Sequence, residues 1–337
     1  MILKQVATQI MRLFLALALG NIIGLATFAF FAIVSYALKV WELEITADFV
    51  SFSEVNYSMT LGAFMLGGSL IAGFIYSRLE GPRSHGPADL MVCIKKDELP
   101  DIKAGFITSF LTMVSVSSGS SVGMFGPIIH YGGCIAASLE RFFKVLTRGV
   151  VLAAGGAAGI AALFSAPIAA SIFAHEMLLR RFRSTESLPV IMAALGGYFS
   201  AVMLLGDNRR FLSVIGDPPP LEPFSLGMAI LVGIFSGLLS SLYVYLVGAG
   251  PGWVKKTNVP PFFRPLIAAT ILFAISPFFP QLIGPGMPAV NMALAGEFTL
   301  YLLIALAFLK VFATAFCRSF GFHGGILLPA CFFGAML

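Results

Sequence analysis

Four stretches of this sequence gather serine, glycine and proline beside or within apolar runs. The longest, Ser117–Ser118–Gly119–Ser120–Ser121–Val122–Gly123–Met124–Phe125–Gly126–Pro127, interrupts the uncharged run Ala104–Leu139. Ser165–Ala166–Pro167 interrupts Gly149–Ala174 in the same way, and Gly321–Phe322–His323–Gly324–Gly325–Ile326–Leu327–Leu328–Pro329 repeats the pattern near the end. The fourth, Gly81–Pro82–Arg83–Ser84–His85–Gly86–Pro87, precedes the short piece Ala88–Ile94, which cannot cross a bilayer alone and reads as re-entrant. Such clusters break helices, and a helix that restarts exposes first-turn N–H groups with no intrahelical partner at the positive end of its dipole. The natural ligand is an anion. Several such starts near a bilayer midplane would hold it by partial charges alone, loosely enough to let it go. Glycines that only permit close helix packing and prolines that only kink account for single residues of this kind, but account for clusters ending in proline less well.

The other chemistry-bearing residues are less specific. His85, His130, His175 and His323 show no metal-ligand spacing, and Cys93, Cys134, Cys317 and Cys331 lack the close pairs of a zinc or redox motif. No metal or cofactor is expected. Serine with histidine, at Ser117–Ser121 with His130 or at Ser84 with His85, supplies the raw material for an intramembrane hydrolase. Adjacent residues on a helix do not face one another, however, and triads are recognised by geometry.

Elements that position these breaks must lie in a membrane. Hydrophobic residues make up 58% of the chain and charged residues 11%, against roughly half and a quarter in a soluble domain. Uncharged runs at Leu13–Leu38, Val55–Ser77, Ala104–Leu139, Gly149–Ala174, Leu188–Gly206, Phe224–Val254 and Pro265–Gly296 are each long enough to cross. The first is too long for a secretory h-region and reads as a membrane helix. Lys4 and Arg12 precede it, and Glu42, Glu44, Asp48 and Glu54 follow, which places the N-terminus in the cytoplasm. Later basic clusters, from Arg78 and Arg83 to Lys255 and Lys256, fall where an alternating path returns to that side. The net positive charge of +5 therefore describes topology and calls for no nucleic acid. The reading is an all-α, polytopic transmembrane protein with broken, re-entrant helices, in the plasma (inner) membrane.

The same residues resemble the CLC family of chloride channels and chloride/proton exchangers. Ser84–His85–Gly86–Pro87 is similar to the family's first selectivity segment, Gly123–Met124–Phe125–Gly126–Pro127 to the second, and Gly324–Gly325–Ile326–Leu327–Leu328–Pro329 to the third. Gly155–Gly156–Ala157–Ala158–Gly159–Ile160–Ala161–Ala162–Leu163–Phe164–Ser165–Ala166–Pro167, followed by Glu176–Met177, resembles its long Gly/Ala signature. The resemblance implies inverted repeats, a first half at residues 1–206 and an incomplete second half at 207–337, and a homodimer with one pore per subunit. It further implies chloride or a similar small anion as the bound substrate. The Ser84 hydroxyl would contact it with Gly86 alongside, Ile326 and Leu327 would give amides to a central site, and Met124, Phe125 and Gly126 would serve an outer one.

Two departures bear on mechanism. Phe125 stands where the family carries its external gating glutamate, so the group that proton exchange needs is replaced by an apolar ring. Uncoupled anion flow is therefore expected, with a chloride/proton antiporter as the alternative. Glu176 matches the family's internal, proton-passing glutamate, yet it stands four residues before Arg180, at the spacing of a helical ion pair, and that pairing is expected over a proton path. The second departure is that the chain stops at Leu337 inside an apolar run, where the family continues through further helices, which suggests a fragment. Lys310, alone in an apolar span, is expected to face the protein interior or to pair with a carboxylate.

Overall fold

The computed structural model describes residues 2–45, 55–78, 86–205 and 222–337. Among these the chain is helical: α1 (Ile2–Ile45), α2 (Val55–Arg78), α3 (Pro87–Lys96), α4 (Ile102–Ser117), α5 (Phe125–Leu139), α6 (Arg148–Phe164), α7 (Pro167–Phe173), α8 (Ser184–Leu205), α9 (Pro223–Lys255), α10 (Arg264–Ile275), α11 (Met287–Leu294), α12 (Leu300–Ser319) and α13 (Leu327–Ala335). Among the described residues, five stretches are long and apolar enough to cross a membrane: Val6–Val40, Met59–Arg78, Ser184–Leu204, Pro223–Lys255 and Leu300–Ser319. The protein is an integral, multi-pass membrane protein.

The expected interruptions are present. Ala104–Leu139 is two helices, α4 and α5, and Gly149–Ala174 divides between α6 and α7 at Ser165, whose φ of 53° lies in the left-handed region. One expected crossing is corrected. Pro265–Gly296 is α10, a 3-10 turn at Pro280–Leu282 and α11, because Pro277, Pro280 and Pro285 cannot donate to a helical ladder. Apolar content concealed those breaks.

Contacts divide the chain into two compact units that interleave in sequence. The first comprises Met1–Ile33, Arg83–Phe110 and Phe125–Phe211. Its core is small-residue packing around α6, which is buried at almost every position from Gly149 to Leu163. Leu19 and Ile23 of α1, Leu90 of α3, Ile129 and Ala136 of α5, and Ala193 and Ala194 of α8 complete it. A helix apolar all round must be buried all round, and here backbones approach one another directly. A methyl group added at Gly132 would lie 2.4 Å from the Gly155 carbonyl oxygen, and one at Gly155 would lie 2.5 Å from that of Gly132. Part of the Gly/Ala signature is therefore helix packing. Gly132→Ala is expected to destabilise the protein by about 1–3 kcal/mol through overpacking, read as a lower thermal midpoint in detergent; an unchanged midpoint would show that the α5–α6 approach is looser than described.

The second unit comprises Val34–Pro82, Leu111–Met124 and Leu212–Leu337. Here α2 packs on α10, and α9 on α12. The most apolar window of α9 is only 11% buried. Phe224, Leu231, Phe235 and Leu238 are exposed along it, a surface suited to hydrocarbon.

Candidate functional site

Two broken segments of the second unit meet backbone to backbone. The first begins where α4 ends. The Ser115 carbonyl there accepts from the Ser120 amide (3.3 Å), the Ser120 hydroxyl (2.6 Å) and the Ser118 hydroxyl (2.9 Å), and Gly119 turns the chain with φ +81°. These serine hydroxyls close the end of α4. The chain then extends, Val122 N–H donating to the Ser120 carbonyl at 2.8 Å. Gly123 N–H donates to the Gly325 carbonyl at 2.8 Å, and Gly325 N–H returns the bond to Gly123, forming an isolated antiparallel bridge.

The bridge requires glycine. A methyl group at Gly324 would lie 2.4 Å from Val122 Cγ2 and 2.8 Å from the Gly123 carbonyl oxygen. It also joins matching positions. Gly123–Met124–Phe125–Gly126–Pro127 and Gly325–Ile326–Leu327–Leu328–Pro329 share their first and last residues, and each opens a helix at its third, α5 at Phe125 and α13 at Leu327. Each helix thus begins two residues beyond the bridge, with first-turn amides that have no intrahelical acceptor. Neither segment contains an acidic residue.

Side chains of the second unit fix the second segment. His323 N–H donates to Ser115 Oγ (3.1 Å), and His323 Nδ1 lies 2.9 Å from Thr112 Oγ1. Arg318 donates to the Gly324 carbonyl, and the Tyr243 hydroxyl donates to that of Ile326 at 3.0 Å. The Ser121 and Thr314 hydroxyls lie 3.4 Å apart. Sequence reasoning missed Thr112, Thr314, Arg318 and Tyr243. A signal existed for part of this set, since Lys310, Thr314 and Arg318 recur every four residues and so share one face of α12. Lys310 does face the interior, as expected, but its partners are carbonyls and not a carboxylate.

The expected site residues fall as follows. Met124 is buried at 5% exposure beside the bridge, while Ile326 and Leu327 are 39% and 50% exposed at the start of α13. In the first unit, Phe125 is 3% exposed and stacks on Phe164, with ring centres 4.2 Å apart, and Gly126 follows it in the first turn of α5. Gly86 caps α3, but its N–H donates to Asp89 Oδ2 at 3.2 Å, so an anion at that amide has a carboxylate as its competitor. Ser84 and His85 lie outside the described residues. His130 and His175 belong to the first unit, where His130 Nδ1 lies 3.6 Å from Cys134 Sγ and His175 Nδ1 donates to the Ser171 carbonyl at 2.8 Å.

The expected Glu176–Arg180 ion pair is corrected. Ala174–Leu179 is a π-helical turn, and Arg180 ends it with φ +55°. Arg180 lies past the last helical residue, and its left-handed backbone carries the side chain out of the helical register on which fourfold spacing depends. Both residues are exposed, and no ion pair joins them. Arg181 instead binds Glu186 at 2.8 Å.

A polytopic helical fold with two bridged helix breaks defines a membrane protein of the broken-helix transport class. The family model described as "Voltage gated chloride channel" matches residues 68–337, and the chain belongs to that family, the CLC proteins. It is 25% identical over 267 residues to an uncharacterized protein of Methanocaldococcus jannaschii, covering 79% of this chain and 67% of that one. It is 26% identical over 272 residues to the voltage-gated ClC-type chloride channel ClcB of Escherichia coli (strain SMS-3-5 / SECEC), covering 79% of this chain and 65% of ClcB. The chain thus spans about two thirds of the length of these relatives. The fold is that of a CLC-type fluoride/proton antiporter (TM-score 0.76, 18% identity, 98% of this chain and 80% of that one). It is equally that of a slow cyanobacterial Cl−/H+ antiporter (TM-score 0.79, 21% identity, 94% and 76%).

Proposed function

We propose that this chain forms an anion pathway, with chloride as the default substrate, and that the flow is not coupled to protons. The observation that carries this reading is the Gly123–Gly325 bridge, with a helix start and its first-turn donors two residues beyond each bridged glycine. Main-chain donors attract an anion by partial charges, which favours passage over retention. The ClcB relative, named as a chloride channel, supports the substrate class. Ile326 and Leu327 would serve a central site and Met124, Phe125 and Gly126 an outer one, with Ser84 and Gly86 on the cytoplasmic approach. The working unit would be a homodimer in the plasma membrane, with its N-terminus in the cytoplasm.

The solved structures named as antiporters favour a second reading, exchange of chloride or fluoride for protons. Phe125 weighs against it, since a benzyl group carries no proton. Glu176 is exposed on a π-turn, which favours a surface residue over a buried relay.

One experiment separates the two. The protein is reconstituted in liposomes under a chloride gradient, and anion flux and internal pH are recorded together. Chloride flux with no accompanying proton movement is expected, and Glu176→Gln should leave it unchanged. Proton movement in fixed ratio to chloride would establish exchange instead, and absence of any anion flux would end the transport reading.

A further inference from the structure

Lys310 stands in the middle of α12 and is fully buried, at 0% exposure. Its ammonium donates to the Leu282 carbonyl at 3.1 Å and the Gly284 carbonyl at 2.8 Å, and lies 4.7 Å from the centre of the Phe332 ring. Two donors meet carbonyls and the ring faces the charge, so among the described residues the cation is held by carbonyls and a ring and not by a carboxylate. A lysine at the centre of a membrane helix is costly to insert, and such residues mark function by default.

What this lysine holds is connected to both broken segments. Gly284, whose carbonyl it binds, donates its own N–H to the Gly119 carbonyl at 2.8 Å. Both glycines are left-handed, with φ +64° at Gly284 and +81° at Gly119, and Gly119 is the turn that ends α4 and aims the chain at Gly123. One helical turn beyond Lys310, Thr314 reaches Ser121 of the same segment, and one turn further Arg318 holds Gly324 of the other. Three successive turns of α12 thus grip the loop at 282–286, the first break and the second.

We infer that Lys310 is a positioning residue of the anion pathway, acting through Gly284 on the Gly119 turn to set the register of the Gly123–Gly325 bridge. This rests on the transport reading above. Lys310 binds main-chain carbonyls, and its role is to keep two main-chain segments from sliding or opening while an anion passes.

The test uses the whole chain, purified as wild type, Lys310→Met and Lys310→Ala. Amide hydrogen exchange is followed in residues 115–126, 280–288 and 320–328, and the nitrate-to-chloride permeability ratio is measured in liposomes. Lys310→Met keeps the length of the side chain and removes the charge. It is expected to raise exchange about tenfold or more in both broken segments, as local opening becomes easier, and to shift the permeability ratio severalfold. In Lys310→Ala, n-propylammonium replaces the missing atoms and is expected to return exchange and selectivity toward wild type, whereas n-propanol is not. If Lys310→Met does not yield folded protein, the Lys310→Ala comparison with and without n-propylammonium decides alone. Exchange that rises only at 280–288, with selectivity unchanged, would reduce Lys310 to a local plug and overturn the inference while leaving transport intact. So would a Lys310→Ala protein that ignores n-propylammonium. A wild type without anion flux would instead remove the transport reading, whatever the exchange results.

Discussion

Replacing Phe125 with glutamate is expected to reduce anion flux about tenfold or more near neutral pH, with the remainder rising as the pH falls. Phe125 is the first residue of α5, where first-turn amides and the helix dipole favour negative charge. A carboxylate tethered there is itself an anion and competes with chloride for the same donors. Protonation removes its charge, so flux returns on the acid side of its titration and is lowest on the basic side. Phe125→Gln separates charge from shape and should carry flux that is flat with pH. Both variants lose the stacking on Phe164, which such pairs make worth about 0.5–1.5 kcal/mol. Thermal midpoints should therefore fall together while flux diverges. Glutamate with wild-type flux at every pH would mean that the start of α5 does not face the pathway.

The second large effect is expected from Gly324→Ala. The added methyl group would collide with Val122 and with the Gly123 carbonyl, so the bridge must open to admit it. Overpacking of this kind costs about 1–3 kcal/mol, and a shift of the paired segments should lower flux about tenfold or more. Gly334→Ala is the matched control, because a methyl group there meets nothing within 4 Å. It should leave flux and thermal midpoint near wild type. Equal behaviour of the two variants in liposome flux would remove the bridge from the account.

The positions of the breaks were legible because lipid penalises orphan amides, so Ser, Gly and Pro cluster in an apolar run chiefly where the backbone leaves the helix inside protein. Ser117–Pro127, Ser165–Pro167 and Gly321–Pro329 are all breaks in the structure. The pairing of Gly123 with Gly325 was not legible, because no local pattern tells one glycine that its partner lies far along the chain. Shared spelling of the two segments hinted at equivalence and not at contact. Glu176–Arg180 failed for a different reason: spacing implies proximity only while the helix continues, and the helix ends at Leu179 with Arg180 in a left-handed conformation that an arginine does not advertise in sequence. Lys310 showed by its charge that it must be partnered, but its partners, the Leu282 and Gly284 carbonyls, come from a segment whose hydropathy read as one continuous crossing. Ser84, the one side-chain hydroxyl expected at the anion, lies outside the described residues and stays a sequence-based expectation.

Bromide scatters anomalously and follows chloride through main-chain sites, so it reports directly on where an anion rests. Crystals of the protein grown or soaked in bromide are expected to show anomalous density within hydrogen-bonding distance of the amides that open α5 or α13, near Phe125 or at Ile326 and Leu327. Bromide found only beside arginine and lysine side chains, in crystals where those amides are ordered, would contradict the account.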